Sequence, residues 1–278
     1  MHVTNQLDVA VGDGRTVRAY DTGGGGTDGP VLVWHHGTPH TGVPLAPLIA
    51  SAAERGIRLI CYARPSYGGS SSRPGRSVAS AADDVARVAD AFRVGPFTVM
   101  GASGGGPHAL ACAALLPDRV TGVVTVAGVA PFTQEYDWFA GMAGPGALRA
   151  ARVGRDERAR FAETAEFDPE SFVAGDWAAL DGTWAPLGAD AGAAAALGPD
   201  GEIDDDVAFV SPWGFDVATV TAPTLVVQGG LDRVIPASHG RWLAAHLPDA
   251  ELWLRPDDGH VSVLGAVPAA MDWLLQRT

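Results

Sequence analysis

Three residues of this 278-residue chain, Ser103, Asp232 and His260, have the types and settings of a nucleophilic catalyst. A serine hydroxyl attacks only when a neighbouring base takes its proton, and a carboxylate must orient that base and stabilise its charged form. Ser103 lies in Gly101-Ala102-Ser103-Gly104-Gly105, a G-x-S-x-G pattern. A sharp turn of this kind crowds the serine backbone, so the residues two before and two after must be small. By itself the pattern also fits a glycine-rich turn chosen for close packing. Asp232 follows in Gly229-Gly230-Leu231-Asp232 and His260 in Asp257-Asp258-Gly259-His260. Taken singly, Asp232 can also be read as a helix cap and His260 as an ordinary helix-start residue. Their joint occurrence past strand ends, in the order Ser, Asp, His, is hard to obtain by chance. Thr38, in His35-His36-Gly37-Thr38-Pro39, completes the set. Its N–H and that of Gly104 are the candidate donors for an oxyanion. His36 is read as a hydrogen-bonding residue of that turn, and His40 and His108 as loop and packing residues.

These residues need a scaffold that brings distant segments together. Two short runs, Leu7 to Val11 and Thr16 to Asp21, flank Gly12-Asp13-Gly14 and read as a hairpin. A flexible Gly23–Gly26 loop leads to the apolar run Val31–Trp34, suited to a strand buried on both faces. Helix and strand then alternate: helix 44–54, strand 58–62, helix 77–92, strand 97–101, helix 105–116, strand 120–127. The rhythm stops at Pro131 and resumes at Pro223, with strand 224–228, helix 237–246, strand 251–254 and helix 262–276. The expectation is an α/β fold, a mostly parallel sheet of about eight strands with helices on both faces. Residues 1–130 and 217–278 form its core, and residues 131–216 an inserted helical cap. Ser103 then sits between a strand and a helix N-terminus, whose free N–H groups face a developing negative charge. Asp232 falls just past a strand's carboxyl end, where such sheets place their ligands.

Composition removes other chemistries. All 19 positive side chains are arginine, so Schiff-base catalysis and a phosphate-binding lysine are excluded. A net charge of −13 argues against nucleic acid. No signal-peptide or membrane-spanning run is present, so a soluble, cytoplasmic protein is expected. Cys61 and Cys112 read as buried thiols. No cofactor or metal is expected; Asp204-Asp205-Asp206 lacks a glycine-turned ligand loop and reads as a solvated loop. The insert holds 17 of the 32 acidic residues and only five of the arginines. An excess of that size favours neutral or cationic small-molecule substrates over anionic ones, unless its carboxylates only solubilise an outer surface. Phe132, Trp138 and Trp213, near its junctions with the core, are candidate pocket-lining residues, though packing accounts for them as well.

The His36-Gly37-Thr38-Pro39 turn, the Gly101–Gly105 elbow, the Asp232 loop and Gly259-His260 together resemble the cap-bearing serine hydrolases of the α/β-hydrolase superfamily. The resemblance runs from Gln6 to Leu275 and is nearest to alpha/beta fold hydrolases of high-GC bacteria. It implies an esterase-like enzyme with Ser103, His260 and Asp232 as triad. Lactonase, C–C hydrolase and aminopeptidase chemistry on the same triad stay open, as does a ligand receptor of the same fold. Arg64-Pro65-Ser66-Tyr67-Gly68-Gly69-Ser70 is similar to the family's stretch before its second helix. Ala63 stands where that stretch usually has Asp, which leaves Arg64 without its usual ionic partner.

Overall fold

The computed structural model describes residues 4–23 and 29–277. Strands β1 (Asn5–Gly12) and β2 (Arg15–Asp21) form the expected hairpin. The glycine tract after Gly23 lies outside the described residues. There follow β3 (Val31–His35), α1 (Ala46–Glu54), β4 (Arg58–Tyr62), α2 (Ser80–Ala91), β5 (Phe97–Ala102), α3 (Gly105–Leu115) and β6 (Val120–Val126). Five helices come next: α4 (Gly146–Val153), α5 (Arg155–Ala162), α6 (Ala174–Asp181), α7 (Ala185–Ala195) and α8 (Asp200–Val210). The chain then returns through β7 (Thr224–Gly229), α9 (Ala237–His246), β8 (Ala250–Arg255) and α10 (Val267–Arg277).

The eight strands make one sheet in the order β1-β2-β4-β3-β5-β6-β7-β8, antiparallel at β1–β2 and β2–β4 and parallel from β4 to β8. The apolar runs explain it. Side chains alternate across a strand, so a strand buried on both faces must be apolar at every position. Val33, Val99, Val123 and Val226 face one core with Val85, Val88 and Leu110 from α2 and α3. Their neighbours Leu32, Met100, Val124 and Leu225 face the other, with Leu48 from α1 and Met271 and Leu274 from α10. Cys61 and Cys112 are free and buried, and burial pushes both thiols well above their ordinary range. Among the described residues no helix is long and apolar enough to cross a membrane.

Two expectations need correction. The final helix does not run on from Ser262; a 3-10 turn (Ser262–Ala266) precedes α10. Asp204, Asp205 and Asp206 are not a solvated loop but lie buried within α8. A run of three carboxylates is normally solvated because burying unpaired charge is costly. Arginines make this burial possible: Arg155 pairs with Asp204, Arg158 with Asp206, and Arg64 and Arg76 with Asp205.

Candidate active site

The elbow begins where β5 ends. Ser103 has a φ of 51°, in the left-handed region that costs a non-glycine residue about 1–3 kcal/mol. The Ser103 N–H donates to the Val126 carbonyl (2.8 Å) and the Gly106 N–H to the Ser103 carbonyl (3.0 Å), which fixes the turn between β5, β6 and α3. A Cβ at Gly101 would overlap the Gly105 carbonyl, and one at Gly105 the His35 carbonyl. The glycines two before and two after the serine are therefore required by contact, as the motif implies. Ser103 itself remains partly exposed.

Asp232 is fixed by its own loop. Its Oδ1 accepts the N–H groups of Val234 (2.9 Å) and Ile235 (2.8 Å). Its Oδ2 accepts from Gln228 Nε2 (3.3 Å) and lies 2.8 Å from His260 Nδ1. His260 Nε2 lies 3.0 Å from Ser103 Oγ. A carboxylate only accepts, so the proton sits on Nδ1 and Nε2 is left free to accept from the serine hydroxyl. Burial disfavours the imidazolium, but Asp232, with help from Asp176, outweighs it and holds His260 above its usual pKa of 6.5. The structure thus joins the three residues in one relay across 157 positions of sequence.

Thr38 and Gly104 also meet. A Cβ on Gly104 would strike the Thr38 side chain, and the Phe209 ring closes the same spot from α8. His36 behaves as expected of a turn residue: its Nδ1–H donates to the Gly37 carbonyl (2.7 Å) and its Nε2 accepts the Arg64 N–H (3.0 Å). Burial and then Arg64 hold it well below the usual imidazole range, so it stays neutral. His108 Nδ1–H donates to the Gly104 carbonyl (2.8 Å), and burial followed by Arg64 lowers its pKa to about 3. His40 is more than a loop residue, being 2.8 Å from Asp190 of α7.

The three aromatic candidates separate. Phe132 and Trp213 line an open cleft of about 460 Å³ with Arg152, Ser211 and Phe215. Trp138 is not in that lining: its indole N–H donates to the Ala130 carbonyl (3.1 Å) and its ring packs on His239. It is a core residue, its polar edge satisfied by backbone. Neither Ser103, Asp232 nor His260 lines the cleft, but Phe209 links the two regions. Its ring lies against Gly104 and its carbonyl accepts the Trp213 indole N–H (3.1 Å). Among the described residues no group of three or more His, Cys, Asp or Glu is arranged to hold a metal ion.

The alpha/beta hydrolase fold family matches residues 30–266, most of the chain and every residue of the relay. The chain belongs to this family. Among solved structures this hydrolase-fold chain is similar to a bromoperoxidase from Bacillus anthracis (22% identity, TM-score 0.77, covering 98% of this chain and 100% of that one). It is also similar to a thermophilic esterase from Thermogutta terrifontis (21%, 0.70, 99% and 100%). An enol-lactonase from Burkholderia xenovorans LB400 is a third (19%, 0.72, 96% and 99%). At such identities the likeness is one of fold. No curated protein matches the sequence.

Four residues beside the site escaped sequence reasoning: Asp176, Asp190, Asp205 and Arg76. Asp176 Oδ1 accepts the N–H groups of Val261 and Ser262 (both 2.8 Å), and its Oδ2 that of His260 (3.2 Å). Asp190 accepts from the Thr41 N–H (3.0 Å) as well as facing His40. Asp205 meets Arg64, Arg76, Tyr67 and Thr38 together. The sequence carries one signal, on the other side of this contact: Ala63 leaves Arg64 without its usual ionic partner, but nothing names the carboxylate that replaces it.

Proposed function

We propose that the protein is a serine hydrolase that cleaves a carboxylic ester, or a related carbonyl-activated bond, of a small uncharged molecule. The observation that carries this reading is the unbroken Asp232–His260–Ser103 relay, with distances of 2.8 and 3.0 Å, ending on a partly exposed serine in a strained turn. His260 Nε2 takes the Ser103 proton as Oγ attacks the carbonyl carbon. Asp232 stabilises the imidazolium without itself being protonated. The Thr38 and Gly104 N–H groups hold the oxyanion, each donor worth about 10²–10³ in rate. His260 then protonates the leaving group, and water activated by the same nitrogen releases the acyl group from Ser103. The residues 131–216 act as a cap, and the aromatic cleft of Phe132, Trp213 and Phe215 receives an apolar part of the substrate.

The test is a screen of p-nitrophenyl esters, lactones and aminoacyl arylamides, with Ser103→Ala as the blank. Ester turnover by the wild type that is absent from the blank supports the reading. Turnover confined to lactones or arylamides would reassign the substrate class, and equal rates in both proteins would refute the triad.

A further inference from the structure

Helix α8 belongs to the insert, yet one of its faces abuts both halves of the oxyanion turn. Residues four apart on a helix lie on the same side. Asp205 and Phe209 are such a pair: Asp205 Oδ2 accepts the Thr38 hydroxyl (2.7 Å), and Phe209 closes on the backbone of Gly104.

The carboxylate is completely buried. Oδ2 accepts from Arg64 Nη2 (2.6 Å) and the Tyr67 hydroxyl (2.9 Å), and Oδ1 from Arg76 Nη2 (2.7 Å). His108 Nε2 stands 3.9 Å away. Arg64 in turn donates to the His36 carbonyl, the Gly37 carbonyl (3.1 Å) and Thr38 Oγ1 (3.0 Å). Three consecutive residues of the turn are thus tied to one guanidinium, and that guanidinium to one carboxylate. The Thr38 hydroxyl has a single proton, and Asp205 receives it. It has none left for an oxyanion, so the Thr38 N–H must serve, and its direction depends on where the side chain is anchored.

We propose that Asp205 is a positioning residue of the oxyanion hole, acting from the insert through Thr38 and Arg64. The inference rests on the serine-hydrolase reading above. It makes α8 part of the catalytic scaffold, so a cap that left the core would take the alignment of the Thr38 donor with it.

The experiment compares wild type, Ser103→Ala, Thr38→Val, Asp205→Asn and the Thr38→Val/Asp205→Asn double variant on p-nitrophenyl butyrate. Melting temperatures and affinity for an aryl trifluoromethyl ketone, whose Ser103 adduct places an oxyanion in the hole, are read alongside. Thr38→Val keeps all the arginine–carboxylate pairs and so tests the link even if Asp205→Asn folds poorly. We expect each single variant to lose about 10–100-fold in kcat with KM changed by less than about threefold. Ketone affinity should fall in parallel, and the double variant should be no slower than Asp205→Asn alone. Wild-type kcat in Thr38→Val, a loss borne by KM alone, or losses that multiply in the double variant would overturn the inference. Equal rates in wild type and Ser103→Ala would instead remove the hydrolase reading on which it stands.

Discussion

At the sheet, main chain does the positioning. Ser103 is held by the Val126 carbonyl at a strand end, and Asp232 by two N–H groups of its own loop. At the insert, charge does it. Helices α6, α7 and α8 send carboxylates into core loops: Asp176 to residues 260–262, Asp190 to His40 and Thr41, Asp204 to Ser66, and Asp205 to Thr38 and Arg64. All these loops follow the carboxyl ends of parallel strands, the side of an α/β sheet that carries its ligands. An acid-rich segment therefore need not be an acid-rich surface. Several of the insert's carboxylates face inward and are neutralised by arginines or spent on backbone N–H groups, so its field at the cleft is weaker than a count of charges implies.

The largest effect is expected at the core's own carboxylate. Asp232→Asn should lower kcat by about 10⁴-fold, because the amide can present N–H to His260 and reverse its tautomer. His260 must be neutral to act as base, and its pKa is raised above 6.5 chiefly by Asp232. In the wild type kcat/KM should therefore rise with pH through a midpoint above 6.5. In Asp232→Asn the residual activity should persist to lower pH. An unchanged acid limb would separate Asp232 from the reacting histidine.

At Asp176, which reaches the His260 loop from α6, a smaller effect is expected. In Asp176→Asn one oxygen still accepts from residues 261 and 262, but the amide NH₂ turns a donor toward the N–H groups of His260 and Val173. Each unsatisfied buried donor costs about 1–3 kcal/mol. The variant should melt earlier, lose roughly tenfold in kcat as the His260 loop shifts, and move the acid limb down by less than Asp232→Asn does. Thermal melts and pH–rate profiles check this. A wild-type rate and pH profile would confine Asp176 to stability.

Much of the core was legible in the sequence because burial on two faces forces continuous apolar runs, and a strand-to-helix turn at Ser103 leaves little choice of residue. Strand and helix limits came within a few residues; the miss at Ser262 arose at Pro268, which lacks an N–H and so suits the first turn of a helix rather than its interior, and α10 starts there. The insert was legible as helical and acidic but not as a source of contacts. Nothing local marks Asp205 as buried, since its partners Thr38, Arg64 and Arg76 lie more than 120 positions away. Trp138 illustrates the same limit. A tryptophan near a junction suits a pocket and a core equally, and only the Ala130 carbonyl against its indole decides between them.

The central claim is that Ser103 is an activated nucleophile. Its most direct test is reaction of the intact protein with a serine-directed fluorophosphonate, followed by mass analysis of the labelled peptide. One adduct is expected, on Ser103, formed far more slowly in His260→Ala and absent in Ser103→Ala. A folded wild-type protein that is never labelled, or a label that persists in Ser103→Ala, would contradict it.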